Sequence, residues 1–405
     1  ADSMALTGIG LAFPLTTIIA AFTNLFGTGG APLFSIARGA QQEKRAEKIL
    51  GNTFSLLMCC SLVIMTLCFV FRRPVLYLFG ASDASYVYAD AYLKIYLLGT
   101  PFAMLSTGLN GFINAQGFPK TGMMTTLLGA VLNLILDPVF IFSLHMGVSG
   151  AALATILSQI ASCIWVLHFL MGKETQLRIK KANLGVDWKL ASEISSLGMA
   201  GFIMQGTNAL VQIVCNTMLK IYGGDLYVGI MTVINSVREI LSLPVSGLTS
   251  GAQPVLGYNY GAKRLERVCQ GIRFMSVIGI LYTLLAWLAV ILCPRLLLSV
   301  FTEDTAMLEA GVRAIRVYFF GFFFMSFQFS GQASFTALGF SRQAIFFSLL
   351  RKAVIVAPLT VFLPRLGLGV DGIFLAEPIS NAIGGLACFL TMYFTVYRKL
   401  KAEIN

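Results

Sequence analysis

TGMMTTLLGAVLNLILDPVFIFSL, residues 121–144, carries one charged residue, Asp137, in a run that is otherwise apolar or weakly polar. Coiled as a helix at about 1.5 Å per residue, it is long enough to cross the ~30 Å apolar core of a bilayer. Runs of similar length recur along the chain. The 405 residues are 57% hydrophobic and only 12% charged, about half the ~25% usual in soluble domains. The mean hydropathy is +0.80. A soluble fold of this composition would need an apolar surface, and the period-2 alternation of a membrane β-barrel is absent. The sequence therefore predicts an all-α polytopic membrane protein. Eleven spans are expected, at about 5–31, 49–71, 88–116, 121–144, 148–171, 190–222, 226–252, 268–292, 309–338, 343–364 and 369–397.

The net charge of +11 does not point to nucleic acid, because the basic residues fall between spans. Arg38, Lys44, Arg45 and Lys48 lie in one loop; Lys173, Arg178, Lys180, Lys181 and Lys189 lie in another. Lys263, Arg264 and Arg267 follow, and Arg398, Lys399 and Lys401 close the chain. The alternate loops hold only Arg72 and Arg73, then Arg295, then Arg365. Such asymmetry places the richer loops and the C-terminus in the cytoplasm. The eight cysteines have no CxxC spacing, and His145 and His168 stand apart. The cysteines read as small apolar packing residues, with no disulfide framework, no transition-metal site and no cofactor expected. With no GxxxxGK[ST] or GxSxG motif either, an enzyme is disfavoured.

Shifted by 222 residues, the sequence meets itself. Pro32 falls on Pro254, Arg45 on Arg267, Tyr96 on Tyr318 and Gly99 on Gly321. The pairs Gly117-Phe118 and Gly147-Val148 fall on Gly339-Phe340 and Gly369-Val370. Two halves of like orientation are typical of a transporter whose site lies between pseudo-symmetric lobes. The span 190–222 has no partner in the first half, which predicts that an earlier helix is missing and that the full protein has six helices per lobe. The expected organisation is an N-terminal lobe at 1–171, a cytoplasmic interlobe loop at 172–189, and a C-terminal lobe at 190–405.

Within the opening stretch, Asn133 lies one helical turn from Asp137 on the same face. Asp137 precedes the turn at His145 by eight residues, and Thr155 follows Gly147 by eight, so both lie ~12 Å from one turn. An amide carbonyl, a carboxylate and a hydroxyl at matched depth suit Na⁺, or a carboxylate that takes a proton. Pro138 removes a backbone donor and favours a kink. The competing reading makes Asp137 a helix cap or interhelical tie, and gives the Thr155 hydroxyl to its own backbone. The second half differs: Asn133 falls on Ile355, Asp137 on Leu359 and Thr155 on Glu377. Glu377 is open to two readings, a C-lobe cation or drug site, or the structural partner of Arg351 or Lys352. Arg238 and Glu239, adjacent and mid-span, each need a separate partner or a wet cavity. The aromatic-rich stretch 318–329 and the scattered Met residues read as packing surface, or as a deformable wall for flat cations.

LAFPL (11–15), GTGGAPLFSIARGAQ (27–41), GVSGAALAT (147–155) and above all GAQPVLGYNYGAK (251–263) make the chain resemble the multidrug and toxic compound extrusion (MATE) family, in its MepA-like bacterial branch. That resemblance implies two six-helix lobes in a V and alternating access in a bacterial cytoplasmic membrane. It implies a monomer that exports drugs and dyes in exchange for H⁺ or Na⁺. The family's N-lobe cation site matches at Asn133, Asp137 and Thr155; its first-helix Asp has no counterpart. Its C-lobe Glu on the seventh helix is also absent, with Gln205 and Asn208 the nearest polar residues. A lipid-linked saccharide flippase of the same superfamily, or a non-transporting scaffold, are the alternative readings.

Overall fold

The computed structural model describes residues 3–78 and 81–404, and among them there is no strand. The first half comprises α1 (Ser3–Gly39), α2 (Glu43–Val70), α3 (Arg72–Leu78), α4 (Asp83–Leu98), α5 (Thr100–Ala115), α6 (Pro119–Pro138) and α7 (Gly147–Met171). A long helix follows, α8 (Trp188–Gly261), then α9 (Leu265–Leu292), α10 (Pro294–Ser299), α11 (Thr305–Tyr318) and α12 (Phe324–Ala337). The last stretch is α13 (Ser341–Leu349), α14 (Ala357–Leu363), α15 (Gly369–Met392) and α16 (Arg398–Ile404), with wide π-helical turns between them.

Each of the eleven expected spans lies largely on helix. Seven continuous helical runs among the described residues are long and apolar enough to cross a membrane. The two numbers differ for local reasons. One run, α8, has 74 residues and breaks at Gly224, whose φ of 70° is left-handed. The C-terminal run from Ser341 to Ile404 likewise joins several helices, with left-handed glycines at Gly367 and Gly369. Conversely, 88–116 and 309–338 are each divided in mid-course, at Gly99 and near Gly321, into helices of 14–16 residues.

Those two breaks are repeat-related, and so is most of the fold. Displaced by 222 residues, the bounds of α2 become those of α9, and α6 and α7 begin where α13 and α15 begin. The turns coincide as well. Gln41 and Lys263 are both left-handed (φ 59° and 56°), as are Gly117 and Gly339 (91° and 81°) and Gly147 and Gly369 (55° and 54°). Even the bonds repeat: Gln42 N–H donates to Ala37 O, and Arg264 N–H to Asn259 O. A non-glycine residue with positive φ is uncommon, so its recurrence at a fixed offset marks one backbone used twice.

Two compact units result, Ala1–Phe202 and Ile203–Asn405. In the first, Phe34 and Phe112 meet edge-on at 5.2 Å amid the buried residues Leu50, Leu57 and Met104. In the second, Phe319, Phe374, Ile315 and Val356 are buried together. The division lies inside α8, not in the loop 172–189, because the start of α8 belongs to the first core. Leu190 and Ile194 are buried there, and Phe202 packs on Phe22 at 5.1 Å. The loop itself is tied to the first unit: Gln116 Oε1 accepts from Thr175 Oγ1 (2.7 Å) and from Leu177 N–H (3.0 Å).

Candidate functional site

Pro138 shapes the outer end of α6. Lacking an N–H, it cannot continue the helical bonding. Val139 N–H donates to Leu136 O instead, and Leu144 N–H donates to Val139 O at 3.0 Å across a π-helical turn. About two and a half turns inward from Pro138, α6 and α7 approach closely at Gly129, where an added Cβ would lie 2.7 Å from Ser162 Oγ. A cavity of about 400 Å³ opens between α5, α6 and α7. Asn133 and Thr155 line it, with Ser106, Asn110, Ser158 and Gln159.

Asp137, one turn along α6 from the lining residue Asn133 but not itself on the cavity wall, is half-buried. Its Oδ1 is buried and accepts no hydrogen bond, and the buried Asn133 Nδ2 donates none. Asn110 Oδ1 and Gln159 Oε1 are buried without partners too. Thr155 Oγ1 donates to Ala151 O at 2.9 Å, the backbone bond expected of a hydroxyl in a span, and this leaves its lone pairs on the cavity. Tyr92 of α4 connects the parts: its hydroxyl neighbours Thr155 and Asp137, and its ring stacks on Tyr96 at 5.7 Å. Tyr92, Asn110 and Gln159 were not indicated by the sequence. Their only sequence signal is the i,i+4 spacing of the Tyr92–Tyr96 pair, and nothing local reports which helix it faces. Unpartnered buried oxygens are costly and rare. Several around one cavity make a ready set of hard acceptors for a small cation, or a place where a carboxyl proton can be held.

The second unit is built differently. Lys352 Nζ donates to both oxygens of Glu377, at 2.9 and 3.0 Å. Arg351 Nη1 donates to Glu377 Oε1 at 3.2 Å and to Asn381 Oδ1 at 2.7 Å. Arg238 approaches the same Oε1 at 3.8 Å, while its neighbour Glu239 is exposed. Adjacent residues of an α-helix point about 100° apart. Arg351 and Lys352 reach one carboxylate because they sit in the wide π-helical turn Leu350–Val356. Glu377 is thus held by both basic residues, each of which the sequence offered as a separate partner. Beside the cluster lies a recess of about 170 Å³, whose walls include Gln205, Asn208, Asn235, Arg238 and Tyr318. Among the described residues no three His, Cys, Asp or Glu side chains gather as a metal site, and all eight cysteines are free thiols.

The family model MatE matches residues 2–139 and 202–362. The multidrug export protein MepA of Staphylococcus aureus is 26% identical over 396 residues, covering 97% of this chain and 86% of its own. The protein of the same name from Staphylococcus saprophyticus is 24% identical over 394 residues, with the same coverage of both chains. Among solved structures, the outward-facing conformation of a multidrug resistance MATE family transporter of the MOP superfamily superposes with a TM-score of 0.93. It is 21% identical and covers 99% of this chain and 90% of that one. A MATE crystal structure in the straight conformation superposes equally well, at the same identity and coverage.

Proposed function

The chain belongs to the MatE family, and from that premise we propose that it exports lipophilic, often cationic small molecules in exchange for H⁺ or Na⁺. The observation that carries this reading is the set of buried oxygens without hydrogen-bond partners, those of Asp137, Asn110 and Gln159, in the part of the first unit where Asn133 and Thr155 line a cavity. Empty, the site leaves a carboxylate without its complement inside a span, where an ionisable group is costly. A bound Na⁺ or proton neutralises it, and α4, α6 and α7 then settle into a different packing. An ion that binds one packing better than the other shifts their populations, and so does a drug, which couples the two through a shared equilibrium. Asp137 takes the ion; Asn133, Thr155 and Tyr92 complete its coordination or its hydrogen bonds. The protein acts as a monomer in a bacterial cytoplasmic membrane, with its C-terminus inside and no cofactor.

The test is dye efflux from vesicles with pH and Na⁺ gradients imposed separately. Asp137→Asn keeps the shape of the side chain and removes its charge. It is expected to abolish gradient-driven efflux while the purified variant still folds. Full retention of efflux by that variant would end the proposal.

A further inference from the structure

The constant offset allows the two units to be compared wall by wall. Gly129, Ala130, Thr155 and Gln159 of the first unit fall on Arg351, Lys352, Glu377 and Asn381 of the second. The positions that leave an open cavity in one unit are occupied by an ion cluster in the other. The polarity is reversed along with the volume. The first unit leaves one carboxylate oxygen and two amide oxygens without partners; the second gathers two guanidinium groups and an ammonium around a single buried carboxylate.

Arg238 is the incompletely matched member. Its guanidinium has five N–H donors, yet its contact with Glu377 is an ion pair at 3.8 Å, longer than a hydrogen bond. The side chain lines the recess beside Asn208, Gln205 and Asn235. Three cations against Glu377 and the exposed Glu239 leave one positive charge in surplus. A single negative charge balances that surplus, whereas a phosphate dianion overshoots it. The planar fork of arginine also fits the two oxygens of a carboxylate. We propose that this recess in the second unit is a binding site for the carboxylate of a small molecule, gripped by Arg238 with the amides of Asn208 and Gln205 beside it.

The probe is acetate, titrated into the purified protein in an isethionate background at constant ionic strength and read by calorimetry and thermal unfolding. Acetate is expected to bind saturably and to raise the melting temperature by mass action. Arg238→Gln should weaken that binding about tenfold or more, and Arg238→Lys by less, since a charge remains without the fork. Asn208→Ala, a change on the recess wall away from the ion cluster, provides a second variant with weakened binding should Arg238→Gln fail to fold. No saturable acetate binding by the wild-type protein, or equal binding by the folded Arg238→Gln and Asn208→Ala variants, overturns the proposal. Preferential binding of inorganic phosphate overturns the assignment to a carboxylate. Because these measurements read binding and not export, their failure leaves the coupled-export reading standing, and a failure of dye efflux leaves this site standing.

Discussion

Asp137 and Glu377 face opposite problems. Asp137 has an oxygen with no hydrogen-bond partner; Glu377 has more cations than one carboxylate needs. Removing the one carboxylate would leave the buried cations around it uncompensated, and breaking a buried ion pair in this way costs about 3–5 kcal/mol. Glu377→Gln is therefore expected to lower the melting temperature of the detergent-solubilised protein sharply. Asp137→Asn, which removes a charge that nothing in the protein matches, should leave the melting temperature unchanged or raise it. A thermal scan of both variants without Na⁺ checks the contrast, and equal losses would contradict it. At this scale the sequence offered Asn133, Asp137 and Thr155 as candidates through spacing alone, because residues four apart share a face and a hairpin equalises depth. It was silent on Tyr92, Asn110 and Gln159. They enter from neighbouring helices, and the rotation of one helix against the next depends on packing that local spacing does not record.

Helices were legible wherever their ends carry a chemical mark. The turns at Gly117 and Gly147, with positive φ, and the starts of α6 at Pro119 and α10 at Pro294 stand where glycine, proline and charge interrupt the apolar runs. The breaks at Gly99 and Gly321 were read through, since the apolar pattern continues across them. The π-helical turns were equally invisible, as one extra residue in a turn does not alter composition. Glycines also set how closely elements approach. A Cβ on Gly198 of α8 would lie 1.7 Å from the carbonyl oxygen of Leu25 in α1, against backbone that cannot yield. On Gly206, eight residues further along the same helix, a Cβ would meet nothing within 4 Å. Gly198→Val is expected to destabilise the first unit severely. Gly206→Ala should stabilise by up to about 1 kcal/mol, the helix-propensity difference between the two residues. Melting temperatures of the two variants should move in opposite directions.

For the whole molecule, the displacement of 222 residues was the most informative sequence signal, and it recurs in helix bounds, turn angles and turn hydrogen bonds. The interior chemistry of the two units was less legible, because backbone equivalence does not carry side-chain identity with it. The charge asymmetry of the loops predicts an orientation: in a cysteine-free background, Arg178→Cys and Lys401→Cys should react with an impermeant maleimide only from the cytoplasmic side, and Leu366→Cys only from outside. Labelling of all three from one side would refute that topology. The broken spans bear on how the chain is made. Helices α4 and α5 have 16 residues each, about 24 Å, and neither alone covers the ~30 Å of hydrocarbon. When only the α4 half of this segment has emerged, the segment offers no stretch long enough for the insertion machinery to commit to the bilayer. Integration of this segment must wait until α5 has left the ribosome, and a reporter fused after Leu98 should be held less firmly than one fused after Ala115.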